Sequence, residues 1–136
     1  MAHKQTAEYT TLLALATKAQ KNAHAPYSNF HVGAAILDEN AQHHASCNVE
    51  NAAYPLGQCA EAGAISAMIA AGSKRIKQIL VISPNNDFCP PCGGCRQKIA
   101  EFADAQTEVH LATKDGQVKT VKFEALLPLA FGFDKD

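Results

Sequence analysis

Apolar residues recur at helical spacing in three segments of the chain. In the first, about residues 6–23, leucines and alanines fall on one face of a helix, and Pro26 ends the pattern. A second helix is predicted at about residues 59–71, with Gly72 as its C-terminal stop. A third is predicted at about residues 92–103. Between the helices the pattern changes to the period of two that is typical of strands.

Alternating or β-branched apolar runs predict five strands, at about residues 31–38, 42–49, 79–82, 108–112 and 118–123. Glu39-Asn40 and Asp115-Gly116 supply the turns of two hairpins. The helix between the second and third strands favours a βαβ crossover. The sum is an α/β or mixed-sheet domain of three layers, with helices interleaved among about five strands.

The length and charge of the chain limit its architecture and its partners. With 136 residues, we expect one domain that spans residues 1–136. Its 12 Lys and Arg against 13 Asp and Glu give a net charge of -1, which offers no basic surface for a nucleic-acid polymer. The longest apolar stretch, residues 62–72, is too short for a membrane span. Residues 1–5 show no secretory or transit pattern, so we expect a soluble cytoplasmic protein with no membrane partner.

The cysteines carry the most specific chemical signal. Cys92 and Cys95 stand at i and i+3 where one helix is predicted to begin, and Cys59 begins another. The aligned peptide dipoles at a helix N-terminus favour thiolates. Three such ligands leave zinc a fourth position for a water molecule, whose pKa falls to about 7. Glu61, two residues after Cys59, is then placed for general acid and base catalysis beside that water.

Two further roles for cysteines stay open on the sequence. Free cysteines often serve as small buried hydrophobes, and this is how we interpret Cys47 in its predicted strand. Alternatively, Cys89 joins Cys59, Cys92 and Cys95 in a closed, structural four-sulfur zinc site. The stiff Pro90-Pro91 dipeptide argues against that site, because it hinders Cys89 from turning back toward the metal.

Four short motifs lie in order along the chain. They are Ser-Asn-Phe-His-Val-Gly-Ala-Ala at residues 28–35, Cys-Asn-Val-Glu-Asn-Ala-Ala-Tyr-Pro-Leu at 47–56, Cys-Ala-Glu at 59–61 and Pro-Cys-Gly-Gly-Cys-Arg-Gln at 91–97. Together they resemble the cytidine deaminases, specifically the small class that holds zinc with three cysteines. The resemblance runs through most of the chain and implies a three-layer α/β/α fold around a central mixed sheet of about five strands.

The resemblance also implies a reaction. It is the hydrolytic deamination of cytidine and 2'-deoxycytidine to uridine and 2'-deoxyuridine in pyrimidine salvage. One Zn²⁺ per subunit would be held by Cys59, Cys92 and Cys95. In zinc deaminases a metal-activated water attacks C4 of cytosine, and a Glu that is not a ligand moves the protons. In this chain that residue is Glu61.

The family pattern implies a substrate pocket built by more than one subunit. Its members would be Phe30, Asn48, Glu50 and Ala60 from one subunit, and Ala52, Tyr54 and Phe131 from neighbouring subunits of a homotetramer. Phe30 would pack against the pyrimidine, while Asn48 and Glu50 would hydrogen-bond the ribose hydroxyls. The C-terminal run 126–133 is unusually apolar, which suits a segment that covers its own core or seals an interface.

At one position the chain departs from the family. Members commonly carry Arg directly after Cys-Ala-Glu, where this chain has Ala62. Three thiolates give a zinc site a net charge of about -1, which weakens the metal as a Lewis acid unless positive groups offset it. We hypothesise that Arg96, which directly follows a ligand, offsets it together with the N-termini of two helices.

Other functions stay open on the sequence alone. A deaminase for an N4-substituted cytidine, or for an antibiotic of the blasticidin S type, shares the Cys-Ala-Glu and Pro-Cys-x-x-Cys motifs. A noncatalytic zinc-binding module needs the cysteines but not Glu61. A deaminase that edits nucleic-acid polymers is disfavoured by the charge balance. The pair His43-His44 has no zinc-like spacing to the cysteines and is interpreted as a solvated strand end.

Overall fold

The computed structural model describes residues 6–133, in which three helices and five strands follow one another. The helices are α1 (Ala7–Gln20), α2 (Ala60–Ala70) and α3 (Gly93–Phe102), and the strands are β1 (Gly33–Asp38), β2 (His43–Cys47), β3 (Ile76–Ile82), β4 (Glu108–Ala112) and β5 (Val118–Lys122). Single turns of 3-10 helix lie at Tyr54–Leu56 and Phe123–Ala125. Every predicted helix and strand is present, with ends within about three residues of those expected from the sequence.

The five strands form one mixed sheet in the order β2-β1-β3-β4-β5. Only β3 and β4 are parallel neighbours, and α3 connects them. Strands β2 and β3 both run antiparallel to β1, so they point the same way and α2 crosses over β1 to join them. The predicted βαβ crossover and mixed sheet are therefore confirmed.

Helices cover both faces of the sheet and bury two hydrophobic clusters. On one face, α1 packs against the sheet. The cluster there consists of Tyr9, Leu12 and Ala16 from α1 and of Ala35, Leu37, Leu80, Ile82 and Ala112 from the strands. On the other, α2 and α3 pack over a larger cluster that includes Ala34, Ile36, Ala64, Met68, Ile79, Val81, Ile99, Val109 and Leu111. Alternate residues of β1 and β3 thus enter opposite clusters, which makes three layers and leaves all of β1 buried.

Two glycines allow helices to approach the sheet closely. A Cβ on Gly33 of β1 would lie 2.1 Å from the Ala16 carbonyl oxygen of α1. A Cβ on Gly63 of α2 would lie 2.2 Å from the Ser46 hydroxyl of β2. The second contact fixes the first turns of α2 against the edge of the sheet, and that end of α2 carries Cys59 and Glu61.

The interpretation of His43-His44 as a solvated strand end is wrong for His44. This side chain is 9% exposed, and its Nε2 lies 2.7 Å from Oδ2 of the fully buried Asp38. Burial alone would raise the pKa of the Asp38 carboxyl, but hydrogen bonds from His44, Ser73 and backbone amides hold it well below its usual range. The two residues belong to opposite sides of the β1–β2 hairpin, so sequence spacing alone does not reveal their contact.

Cys47 also differs from its predicted place in the core. It ends β2 and is half-buried, and it lies outside both hydrophobic clusters. The physical reason is that β2 is an edge strand, which has a neighbouring strand on one side only.

None of the helices within residues 6–133 is long and apolar enough to cross a membrane.

Candidate metal centre and active site

Two helix N-termini supply the cysteines that the sequence indicates as metal ligands. Cys59 is the N-cap residue of α2 and Cys92 is the N-cap residue of α3, and both have extended backbone angles. Neither cap makes a side-chain hydrogen bond to its helix, so both thiols are available to a ligand. Cys95 lies in the first turn of α3 and is almost fully buried. The positive ends of two helix dipoles therefore meet at three sulfur atoms.

The three sulfur atoms are close enough to hold one metal ion. The Sγ atoms of Cys59, Cys92 and Cys95 all lie within 4.8 Å of one another. A Zn–S bond of about 2.3 Å and tetrahedral angles require sulfur separations of roughly 3.8 Å, so the set fits zinc with small side-chain adjustments. Cys89 is not a member of this group. It packs against the larger hydrophobic cluster, and burial raises the pKa of its thiol.

Hydrogen bonds within the cluster favour a thiolate at Cys59. The Cys95 thiol, followed by that of Cys92, lowers the pKa of Cys59 to about 6, and the positive charge of Lys98 contributes. The same hydrogen bond raises the pKa of Cys95, because Cys95 is its donor. The cluster thus carries negative charge at neutral pH, as a cation site requires. Sequence reasoning missed Lys98, although it stands one helical turn after Cys95.

Glu61 is a buried carboxyl beside this cluster. Its side chain lies in the first turn of α2 and the residue is 5% exposed. Burial is the main cause that raises its pKa to about 7, and the negative charge of Cys59 adds to the shift. A carboxyl that titrates near neutrality can both take up and release a proton under physiological conditions.

A cavity of about 300 Å³ lies next to the loop that precedes α2. It is lined by Tyr27, Ser28, Glu50, Asn51, Tyr54 and Gly57. The Glu50 carboxylate accepts hydrogen bonds from the Ser28 hydroxyl and from the backbone N–H groups of Tyr27 and Ser28. These bonds, the Ser28 hydroxyl first, lower the pKa of Glu50. The carboxylate is therefore charged and oriented at the wall of the cavity.

Asn48 braces the segment that presents Phe30. Its Oδ1 accepts a hydrogen bond from the Val32 N–H at 2.9 Å, and its Nδ2 donates to the Phe30 carbonyl at 2.8 Å. An amide side chain has two lone pairs and two N–H groups, so one of each remains for a further partner. Phe30 itself is 37% exposed. The family resemblance implies only a substrate contact for Asn48, and sequence reasoning missed this bracing role.

Arg96 makes its hydrogen bonds to backbone carbonyl groups. Nε donates to Pro91 O at 2.8 Å, and Nη1 donates to Leu126 O at 2.8 Å. Arg96 is not among the causes that lower the pKa of Cys59, whereas Lys98 is. The guanidinium group therefore holds the backbone on the N-terminal side of Cys92 and the backbone at Leu126.

The aromatic residues expected at subunit contacts are exposed in the single chain. Tyr54 is 73% exposed and Phe131 is 71% exposed. Tyr54 forms an edge contact with Tyr27 at the cavity, and Phe131 forms one with Phe133 near the C-terminus. Ala52 is also exposed. Within the single chain, therefore, the aromatic rings of Tyr54 and Phe131 are largely open to solvent.

Comparisons with known proteins agree on one family. Residues 6–111 match the family model described as "Cytidine and deoxycytidylate deaminase zinc-binding region". A cytidine deaminase of Sporosarcina psychrophila is 38% identical over 120 residues, which are 88% of this chain and 88% of the relative. The crystal structure of cytidine deaminase from Burkholderia pseudomallei matches with a TM-score of 0.86 at 38% identity, over 93% of this chain and 100% of that one. The Mycobacterium tuberculosis enzyme matches with a TM-score of 0.82 at 31% identity, over 94% and 100%.

Proposed function

The chain belongs to the zinc-binding cytidine and deoxycytidylate deaminase family, and from that premise we propose that it hydrolyses the 4-amino group of cytidine and 2'-deoxycytidine. The products are uridine or 2'-deoxyuridine and ammonia. The observation that carries this proposal is the cluster of three thiols at two helix N-termini, directly beside the buried Glu61. A near-zero net charge also suits an uncharged nucleoside, which brings no phosphate to be neutralised.

One zinc ion per chain is the cofactor, held by Cys59, Cys92 and Cys95. When bound, it supplies a Lewis acid that lowers the pKa of a coordinated water to about 7. The thiolate at Cys59 and the two helix dipoles prepare the site for a cation. Cys89 lies outside the group of three, so three protein ligands would leave a bound zinc ion a fourth position for water.

Glu61 is the proton carrier of the reaction. Its carboxylate accepts one proton of the attacking water and delivers it to N3 of the ring. It then accepts the second proton and delivers it to the amino group, which leaves as ammonia. The water oxygen remains on C4, so atoms balance and Glu61 returns to its starting state. Burial raises the pKa of Glu61, which helps its carboxylate to take a proton from the water.

The surrounding residues hold the nucleoside. Phe30 is partly exposed, and Asn48 holds its backbone carbonyl by a hydrogen bond, so that its ring packs against the pyrimidine. Glu50 and the remaining hydrogen-bonding capacity of Asn48 take the ribose hydroxyls. The backbone around Ala60, at the N-terminus of α2, contacts the base. The cavity beside Glu50 gives the sugar a place near the loop.

The assembly is a homotetramer in which neighbours complete each site. Support comes from the exposed aromatic residues: Tyr54 stands at the wall of the cavity, and Phe131 projects from an apolar C-terminal run. Ala52 lies in the same loop as Tyr54. An exposed apolar surface of this kind is typical of a subunit interface.

The domain, the location and the metabolic setting belong to the same proposal. Residues 1–136 form a single catalytic domain, since the family match and the sheet overlap along most of the chain. Three reduced thiols are needed for zinc, and a reducing cytoplasm suits that requirement. Release of uridine from cytidine assigns the protein to pyrimidine salvage.

Replacing Glu61 tests the enzyme against a noncatalytic zinc module. We expect Glu61→Gln to lower turnover of cytidine by at least about a thousandfold, because the amide cannot carry protons. The zinc content, measured by elemental mass spectrometry, should stay at one zinc ion per chain. Turnover that survives the substitution would refute the assigned role of Glu61.

A further inference from the structure

A single side chain bridges the metal site and the C-terminal part of the chain. Arg96 donates from Nε to the carbonyl of Pro91, which directly precedes the ligand Cys92. It donates from Nη1 to the carbonyl of Leu126, which lies 30 residues further along the chain. Both bonds are 2.8 Å long, the length expected for a charged donor. Arg96 thus fixes two backbone segments that have no sequence connection.

The next residue of α3 extends this contact. Gln97 donates from Nε2 to the carbonyl of Phe131 at 3.0 Å. We define the C-terminal segment as residues 126–133. Two consecutive side chains of the helix that begins at the metal site therefore hold this segment at two points. The side chains of Phe131 and Phe133 stay exposed while the Phe131 backbone is held.

The bridge depends on shape as well as charge. A guanidinium group is a planar fork whose N–H groups point in fixed directions, so it reaches two carbonyl oxygens at once. A lysine ammonium has the same charge but no fork. Because both partners of Arg96 are neutral carbonyl groups, a residue that keeps only the charge does not restore the two directed bonds.

We propose that Arg96 is a positioning residue that couples zinc binding at Cys92 and Cys95 to the docking of the C-terminal segment. The proposal rests on the assigned zinc ligands and deepens the proposed function. Zinc fixes the start of α3 and the Pro91 backbone that precedes it. Because Arg96 is hydrogen-bonded to the carbonyls of both Pro91 and Leu126, it then holds Leu126 in place as well. By linkage, docking of the segment strengthens zinc binding by the factor with which zinc strengthens docking. Zinc therefore also controls where Phe131 stands.

The test compares Arg96→Lys with Arg96→Gln in the full chain. Zinc affinity is measured by competition with a chromophoric chelator, and docking by hydrogen exchange of the peptide that covers residues 126–133. We expect both variants to bind zinc about tenfold more weakly than the parent protein, the effect of losing directed bonds to carbonyls. In the parent, zinc removal should raise exchange in the segment at least about fivefold. In both variants, exchange should be fast with or without zinc.

Two matched controls isolate the bridge. Arg75→Lys changes the other arginine of the chain, which is exposed, and should leave both readouts within about twofold. Gln97→Ala removes the bond to Phe131 and leaves the bond to Pro91. It should raise exchange in the segment while zinc affinity stays within about twofold.

Every outcome of these measurements supports or refutes the coupling. If Arg96→Lys matched the parent protein in zinc affinity, charge alone would explain Arg96 and the coupling would be refuted. If the exchange rate of the segment in the parent protein were the same with and without zinc, the coupling would be refuted as well. Neither readout requires turnover, so a protein that binds zinc and deaminates cytidine but lacks this coupling leaves the proposed function intact. A protein that binds no zinc would overturn both.

Discussion

Among single residues, Glu61 is the one whose chemical behaviour depends most on the residues packed around it. The Cys-Ala-Glu motif predicts a carboxyl close to the metal site, because Glu61 follows a ligand by two positions. The sequence does not predict its near-complete burial or a pKa of about 7, since both depend on how α2 packs against the sheet. The same limit applies to His44 and Lys98, whose partners lie on other elements.

The raised pKa of Glu61 predicts a pH-dependent cost to stability. The folded chain binds a proton up to about pH 7, whereas the unfolded chain releases it near 4.5. The free energy of unfolding of the zinc-free protein should therefore fall between pH 4.5 and 7, relative to Glu61→Gln, and then stay level. The full difference is about 3 kcal/mol. Urea unfolding of both proteins across this range measures it, and parallel curves would contradict the burial argument.

At the level of helices and strands, the hydrophobic pattern predicts where each element lies but not which elements contact one another. Periodicity locates all three helices, and the prediction that Cys59 and Cys92 stand at two helix starts is confirmed. That the two starts meet depends on the strand order, which no local pattern contains. The prediction of a core position for Cys47 is wrong because alternation in a strand does not distinguish an edge strand from a central one.

The close approach of α1 to β1 gives a prediction about packing. Gly33→Ala should lower the free energy of unfolding by about 1–3 kcal/mol, because the new methyl group meets a backbone carbonyl that cannot rotate away. Gly94→Ala is the matched control: apart from its chain neighbours and the backbone of its own helix, no atom lies within 4 Å of the added Cβ, and alanine favours the helix. Denaturant unfolding of both variants tests this. Equal stability of the two variants would mean that α1 does not sit as closely as described.

The molecule as a whole completes its fold and leaves several of its aromatic residues exposed. One sheet and three helices account for both hydrophobic clusters, yet Tyr54 and Phe131 remain exposed. The family resemblance, and not the hydrophobic pattern, predicts that neighbouring subunits use them. Composition alone indicates only that the partner is not a nucleic-acid polymer.

Subunit mixing tests whether sites are shared. Glu61→Gln lacks the proton carrier, and Phe131→Ala lacks the neighbour's contribution, so each homotetramer should be poorly active. After mild dissociation and mixing, sites that combine an intact Glu61 with a neighbour's intact Phe131 should regain up to about a quarter of parental activity, the share expected if the two chains mix randomly. No recovery, in a mixture shown by mass spectrometry to contain hybrids, would contradict a shared site.

Three cysteines and one buried carboxyl are the basis for proposing a zinc-dependent cytidine deaminase. The decisive experiment follows the ultraviolet absorbance of cytidine incubated with the purified protein. We expect conversion to uridine with release of ammonia, loss of activity after a chelator removes the metal, and recovery when one equivalent of zinc returns. Undiminished activity in metal-free protein, or unchanged cytidine in fully zinc-loaded protein, would show that this function is wrong.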